Sequence, residues 1–145
     1  MTIKTIGKDQ VGTVKKLWEE LNAHHWTHSS HFKDYFSRLS FDRRMNNLIR
    51  RERFVAFVAE NNNDPIGYCI ATVSGGNGEV DSLFVNKTYR KKGLGKELVS
   101  LALQWLEEQN CETILVYIAE GNENVLNFYR GFGFAERFVV MQKRG

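Results

Sequence analysis

Val80-Asp81-Ser82-Leu83-Phe84-Val85 runs through a short link into Arg90-Lys91-Lys92-Gly93-Leu94-Gly95-Lys96, and an apolar helical pattern starts at once; this passage decides how the rest of the chain is read. A β-rich run, a basic turn with two close glycines and a new helix are the parts of a phosphate cradle. Glycines let backbone N–H groups approach an anion, the helix start supplies unpaired donors and partial positive charge, and the lysines add whole charges. The ligand implied is a phosphorylated cofactor. A Walker loop needs glycine five residues before Gly95 and Ser or Thr after Lys96, where this chain has Arg90 and Glu97. A dinucleotide fingerprint needs a third glycine where Leu98 stands. An ordinary glycine-rich strand-to-helix turn is the plain alternative.

A second pattern lies downstream in Asn122-Glu123-Asn124-Val125-Leu126-Asn127-Phe128-Tyr129-Arg130-Gly131-Phe132-Gly133-Phe134. Val125, Phe128 and Tyr129 share one helical face, and Gly133 sits where a helix end favours positive φ. A core-facing aromatic helix with a glycine stop would look the same. Together, however, Arg-x-x-Gly-x-Gly after a strand and an asparagine-led helix with Phe-Tyr and Gly-Phe resemble the two signatures of the GNAT acyltransferase superfamily. The resemblance covers roughly residues 53 to 135.

The resemblance implies an α/β (α+β) fold: a mixed, mostly antiparallel twisted sheet of about six to seven strands, with about four helices. A parallel pair, the strand ending at Val85 and the strand from Thr113, splays into a slot for acetyl-coenzyme A. By the same resemblance the pantetheine arm pairs with the backbone of Leu83, Phe84 and Val85. The motif led by Arg90 holds the pyrophosphate through the amides of Lys91, Lys92, Gly93, Leu94, Gly95 and Lys96. Asn122 contacts the cofactor or a water near it, and Tyr129 matches the general acid.

Composition fits one domain of 145 residues with enough apolar content for a core. No apolar run approaches the ~20 residues needed to span a bilayer, so no membrane role is expected. Met1 to Ile6 lacks a signal peptide's apolar stretch, and Cys69 and Cys111 have neither metal nor redox spacing; a reducing cytoplasm is the expected setting. The net charge of +3 does not by itself imply nucleic acid. Arg43, Arg44, Arg50, Arg51 and Arg53 nevertheless form a basic cluster at helical spacing, read either as a solvated face or as a surface for nucleic acid or an acidic partner. A domain that senses acetyl-coenzyme A without turnover is another reading.

Along the chain, Thr2 to Ile6 reads as a strand, and Asp9 as the cap of a helix carrying Val11, Val14, Leu17, Trp18 and Leu21. A second helical region runs from about His31 to Arg51 with a break near Ser40. Phe54 to Glu60, Ile66 to Val73 and the strand ending at Val85 form an antiparallel meander. Leu94, Leu98, Leu101, Ala102, Trp105 and Leu106 make the stripe of the next helix, Thr113 to Ala119 a buried strand, and Arg137 to Lys143 an edge strand that would suit a homodimer.

Acetyl transfer to an amine needs a base, because an amine of pKa near 10.4 is unprotonated in only about one molecule in a few thousand at pH 7. Glu79 and Asp81 stand two apart on one strand face; resemblance does not choose between them. Direct attack is expected rather than an acyl-cysteine route, since neither cysteine has a neighbouring histidine. The acceptor, a small amine or a peptide, is unspecified. Trp26, His28 and Phe32, in the segment His24 to Phe32, are the candidate pocket residues, and no metal is expected there although positions 24 and 28 would share a helical face.

Overall fold

The computed structural model describes residues 1–145. β1 (Thr2–Ile6) is followed by a 3-10 segment over Lys8–Val14 and then by α1 (Lys15–His28), α2 (Lys33–Arg38) and α3 (Phe41–Ile49). β2 (Arg53–Asn61), β3 (Asp64–Ser74) and β4 (Asn77–Val85) form the meander. α4 (Leu94–Glu108), β5 (Thr113–Val116) and α5 (Leu126–Arg130) complete the order. The strands lie in chain order in one sheet, antiparallel except for the parallel β4–β5 pair.

The sheet is covered on both faces. Val55, Phe57 and Ala59 of β2 pack with Leu94, Leu98 and Ala102 of α4, while Ala56 and Val58 between them pack with Leu17, Trp18, Met45 and Leu48 of α1 and α3. Alternate side chains of a strand point to opposite faces, so a strand buried on both must read as the continuous apolar run seen here. Ser40 ends the break between α2 and α3 by capping α3, its Oγ accepting the Arg43 N–H at 3.2 Å; such a cap is worth about 1 kcal/mol.

β4 contains the feature that positions the site. Val80 lies opposite Ala71 and Ser82 opposite Ile70, so Asp81 is the extra residue of a bulge. The bulge changes the parity of the strand. Val80 packs in the α4 core, yet Phe84, four residues on, packs in the α1–α3 core beside Tyr68. β5 pairs with β4 only from Asn77 to Val80. From Ser82 to Val85 the β5-facing edge of β4 has no strand beside it.

Three expectations are corrected. Asp9 caps nothing: the chain enters a 3-10 segment at Gly7 without a side-chain cap, and the α-helix begins at Lys15. Gly12 inside that stretch explains the delay, because glycine costs about 1 kcal/mol in a helix interior. Arg137 to Lys143 is not a strand, and the sheet has five strands. Phe138, Val139, Val140 and Met141 are 78–91% exposed; β-forming side chains make a strand only when a partner ladder and a face to pack on are present. The arginine cluster is not one surface: Arg51 turns inward, Arg44 reaches the Asp81 carbonyl, and Arg53 bonds Gln109. No helix is long and apolar enough to cross a membrane.

Candidate active site

The basic turn at the exit of β4 is a cradle of backbone donors. Gly93 caps α4 with φ +78°, and Lys91 before it has φ +65°. No side chain caps α4, so its first N–H groups remain free for an outside acceptor. Lys91, Lys92 and Lys96 are exposed around them, whereas the Leu94 side chain is buried in the core and offers only its N–H. Arg90 is held by its own strand: Nε donates to the Val85 carbonyl at 2.9 Å, and the guanidinium lies 5.3 Å from the Phe84 ring centre. Leu83 and Val85 pack toward α4 and Phe84 toward α1, which leaves their backbone on the open edge.

The C-terminal half of α1 spans the gap between the parted strands. On one side Glu120, just after β5, accepts the Ser29 hydroxyl at 2.9 Å, the Ser30 N–H at 2.8 Å and the His31 N–H at 3.0 Å. These bonds, that from the Ser30 N–H foremost, hold the Glu120 carboxyl below its usual range. Gly121 has φ +92°, and a Cβ there would stand 2.3 Å from the His28 carbonyl oxygen, so only glycine fits. On the other side a cavity of about 500 Å³ is lined by His24, His28, Phe84, Lys87 and Arg90, among others. The His24 and His28 rings stack at 4.1 Å. Burial first, then His28 and Arg90, push His24 below its ordinary value, with the Asn122 side chain nearby acting the other way. Asn122 thus lies close to His24.

On the α1–α3 face of the sheet, Glu79 and Asp81 meet one cation. Arg51 Nη1 donates to Thr72 Oγ1 at 2.9 Å, Glu79 Oε1 at 3.1 Å and Asp81 Oδ1 at 2.9 Å. The Asp81 side chain has no solvent exposure, and its Oδ2 has no hydrogen-bond partner. Burial and then the Glu79 charge push Asp81 up to about 7, with Thr72 and Arg51 pulling the other way. The expectation that Glu79 and Asp81 share a face holds.

Tyr129 is buried, its ring in edge contact with Phe128 at 5.1 Å and Phe134 at 5.7 Å. Burial drives its phenol pKa well up, so the hydroxyl keeps its proton at every working pH. Cys69 is fully buried and its thiol is likewise pushed up, which keeps it from forming a thiolate.

The three candidate acceptor residues part company. His28 lines the cavity beside Phe84. Trp26 lines a separate cavity of about 660 Å³ between α1 and α2–α3, with Trp18, Phe36 and Phe41. The Lys33 ammonium sits 4.4 Å from the centre of the Trp26 ring. Phe32 is half-buried at the start of α2 and lines neither. Reasoning from sequence reached His24 only as the start of the segment His24 to Phe32 and missed Arg51, Thr72 and Glu120. Gly121 beside Glu120 is the one local signal of a close approach; Arg51 was hidden among its neighbouring arginines.

The family model described as Acetyltransferase (GNAT) family matches residues 16–134. Among curated relatives, an uncharacterized N-acetyltransferase of Methanocaldococcus jannaschii is 24% identical over 100 residues, covering 64% of this chain and 44% of that protein. A probable spermine N(1)-acetyltransferase of Bacillus subtilis subsp. natto is 39% identical over 61 residues, covering 40% of each. The matched stretch thus spans less than half the length of these relatives. Among solved structures, a tetramutant of a Bacillus halodurans protein superposes with a TM-score of 0.76 at 15% identity, covering 99% of both chains. An aminoglycoside N-acetyltransferase in complex with CoA superposes with a TM-score of 0.67 at 16% identity, covering 99% of this chain and 100% of that one. At such identities the likeness is one of fold.

Proposed function

Since the chain belongs to the acetyltransferase (GNAT) family, we propose that residues 1–145 form one acetyltransferase domain that moves the acetyl group of acetyl-coenzyme A to a primary amine by direct attack. The observation that carries this reading is the parting of β4 from β5 after Val80, with the cradle at the β4 exit. The residues present fit a long ligand with a pyrophosphate. An open strand edge at Leu83, Phe84 and Val85 suits the amide-bearing pantetheine arm, and the free amides from Lys91 to Lys96 with their lysines suit the phosphates. The proximity of Asn122 to His24 is compatible with a contact to the arm from Asn122.

Acetyl-coenzyme A supplies a thioester carbonyl for attack. The Glu79–Asp81 pair takes the amine's proton: Glu79 is partly exposed and Asp81 is buried with an affinity for protons near neutrality. An N–H of Phe84 or Val85 polarises the carbonyl. Tyr129 faces the leaving thiolate. A thiol pKa near 8.5 against a phenol near 10 already makes full transfer uphill by roughly 2 kcal/mol, and burial of Tyr129 raises that further. Tyr129 therefore stabilises the sulfur by hydrogen bonding, with the proton completed from solvent. The buried, protonated Cys69 supports direct attack over an acyl-cysteine.

The acceptor is taken to be a small amine, in line with the names of the relatives, entering by the cavity beside His28 and Phe84. Thiol release from acetyl-coenzyme A with polyamines, aminoglycosides, small amines and peptides tests both parts. Amine-dependent release is expected; tight cofactor binding with no release across the panel would leave a sensor in place of an enzyme.

A further inference from the structure

We propose that Arg51 is a positioning residue that holds Glu79 and Asp81 as one proton-accepting unit; this rests on the acetyl-transfer reading above. A single terminal nitrogen of Arg51 reaches Thr72 Oγ1, Glu79 Oε1 and Asp81 Oδ1 at 2.9, 3.1 and 2.9 Å. That nitrogen carries two hydrogens, so three acceptors share them and no one contact can be optimised alone. The residue arrives from the exit of α3, 28 and 30 positions away in sequence from the carboxylates.

The bulge explains why such a residue is needed. An unpaired bulge residue is free of the ladder that would fix its neighbours, so the direction of Asp81 must come from its contacts. Arg44 Nη2 lies 3.4 Å from the Asp81 carbonyl, and Arg51 grips its carboxylate. The groups facing Asp81 are Arg44 of α3 and Arg51 beyond it, Glu79 on β4 and Thr72 on β3, with Tyr68 bonded to Ser82 alongside and the Cys69 thiol on the far face of the sheet.

The division of labour follows from exposure. The Glu79 side chain is 18% exposed and that of Asp81 is 0%. A proton arriving from the acceptor meets Glu79, and two carboxylates on one cation cannot both be ionised as easily as either alone. Arg51 lowers that penalty, so the pair can be vacant of its proton near neutral pH. Without it the pair would hold the proton and fail as a base.

The test is a titration of the carboxyls by isotope-edited infrared spectroscopy in the unaltered chain, Arg51→Met and Arg51→Lys, alongside the pH dependence of thiol release. In Arg51→Met the carboxyl titration is expected to rise by about one to three pH units. The acid limb of kcat should move with it, with the rate at pH 7 down about tenfold or more and recovering as pH rises. Arg51→Lys, which keeps the charge on a single ammonium, is expected to show a smaller rise in the same direction and serves where Arg51→Met does not fold. Titrations that coincide with the unaltered chain in a folded variant overturn the proposal. If the unaltered chain turns over no amine, the acetyl-transfer reading fails, while the carboxyl titration still decides whether Arg51 governs the pair.

Discussion

Toward α4, β4 presents Val80, Leu83 and Val85, which fill a core and leave only backbone for a ligand; toward α1 and α3 it presents Glu79, Asp81, Ser82 and Phe84, three of them polar. The proposed cofactor side is one continuous stretch, residues 80 to 96, whose donors are main-chain amides. The proposed base side gathers Arg51 from beyond α3, Thr72 from β3 and the two carboxylates of β4. A site built from backbone tolerates substitution of its side chains, whereas one built from gathered side chains fails when a single member is lost.

The sharpest test of that contrast is Asp81→Asn. Losing a general base is expected to lower kcat by about 100-fold or more, measured by thiol release where chemistry limits turnover; a kcat within a few-fold of the unaltered chain would take Asp81 out of the pair and leave Glu79 as the base. Next in size is the pH dependence of stability. Asp81 sits at about 7 in the folded chain against an ordinary 3.8, so between those values the folded chain holds a proton that the unfolded chain has released. Its contribution is full below about pH 4 and is lost as pH rises through 7. Denaturant midpoints should show a decline of about 2 kcal/mol between pH 5 and pH 8 that Asp81→Asn abolishes.

Tyr129→Phe is expected to lower kcat about tenfold without changing the fold, since the ring contacts with Phe128 and Phe134 remain. An unchanged kcat would assign the leaving-group contact elsewhere. On the backbone side, Gly93→Val puts a β-branched residue at φ +78° and should raise the KM for acetyl-coenzyme A about fivefold with a smaller change in kcat. The smallest effect is Leu83→Val: with the ligand contact made by main chain, the KM for the cofactor should stay within about twofold. A large change there would break the distinction between the two faces.

Legibility in the sequence follows the same division. The cradle and the stripe from Leu94 to Leu106 are local, so spacing alone places them on a turn and a helix. Glu79 and Asp81 are legible as a pair because strand parity is local too. Arg51 is not, since nothing in Arg50-Arg51-Glu52-Arg53 distinguishes the arginine that turns inward from those in solvent; that choice is made by Thr72, Glu79 and Asp81 across the sheet. Glu120 is nearly as silent for a similar reason, with only Gly121 beside it as a local sign and its partners about 90 residues away in Ser29, Ser30 and His31. The errors at Asp9 and at Arg137 to Lys143 come from the opposite cause: local propensity favoured a structure that no tertiary partner completes.

The bulge at Asp81 makes β4 behave like a text with one inserted letter. Before it, odd and even positions face one way; after it, they face the other. Deleting Asp81 would join Val80 to Ser82, whose partners Ala71 and Ile70 are already consecutive, so Leu83, Phe84 and Val85 would keep their faces and the strand would lose only its buried carboxylate. The inserted letter is thus where the strand carries its acid, and its identity matters more than the length it adds.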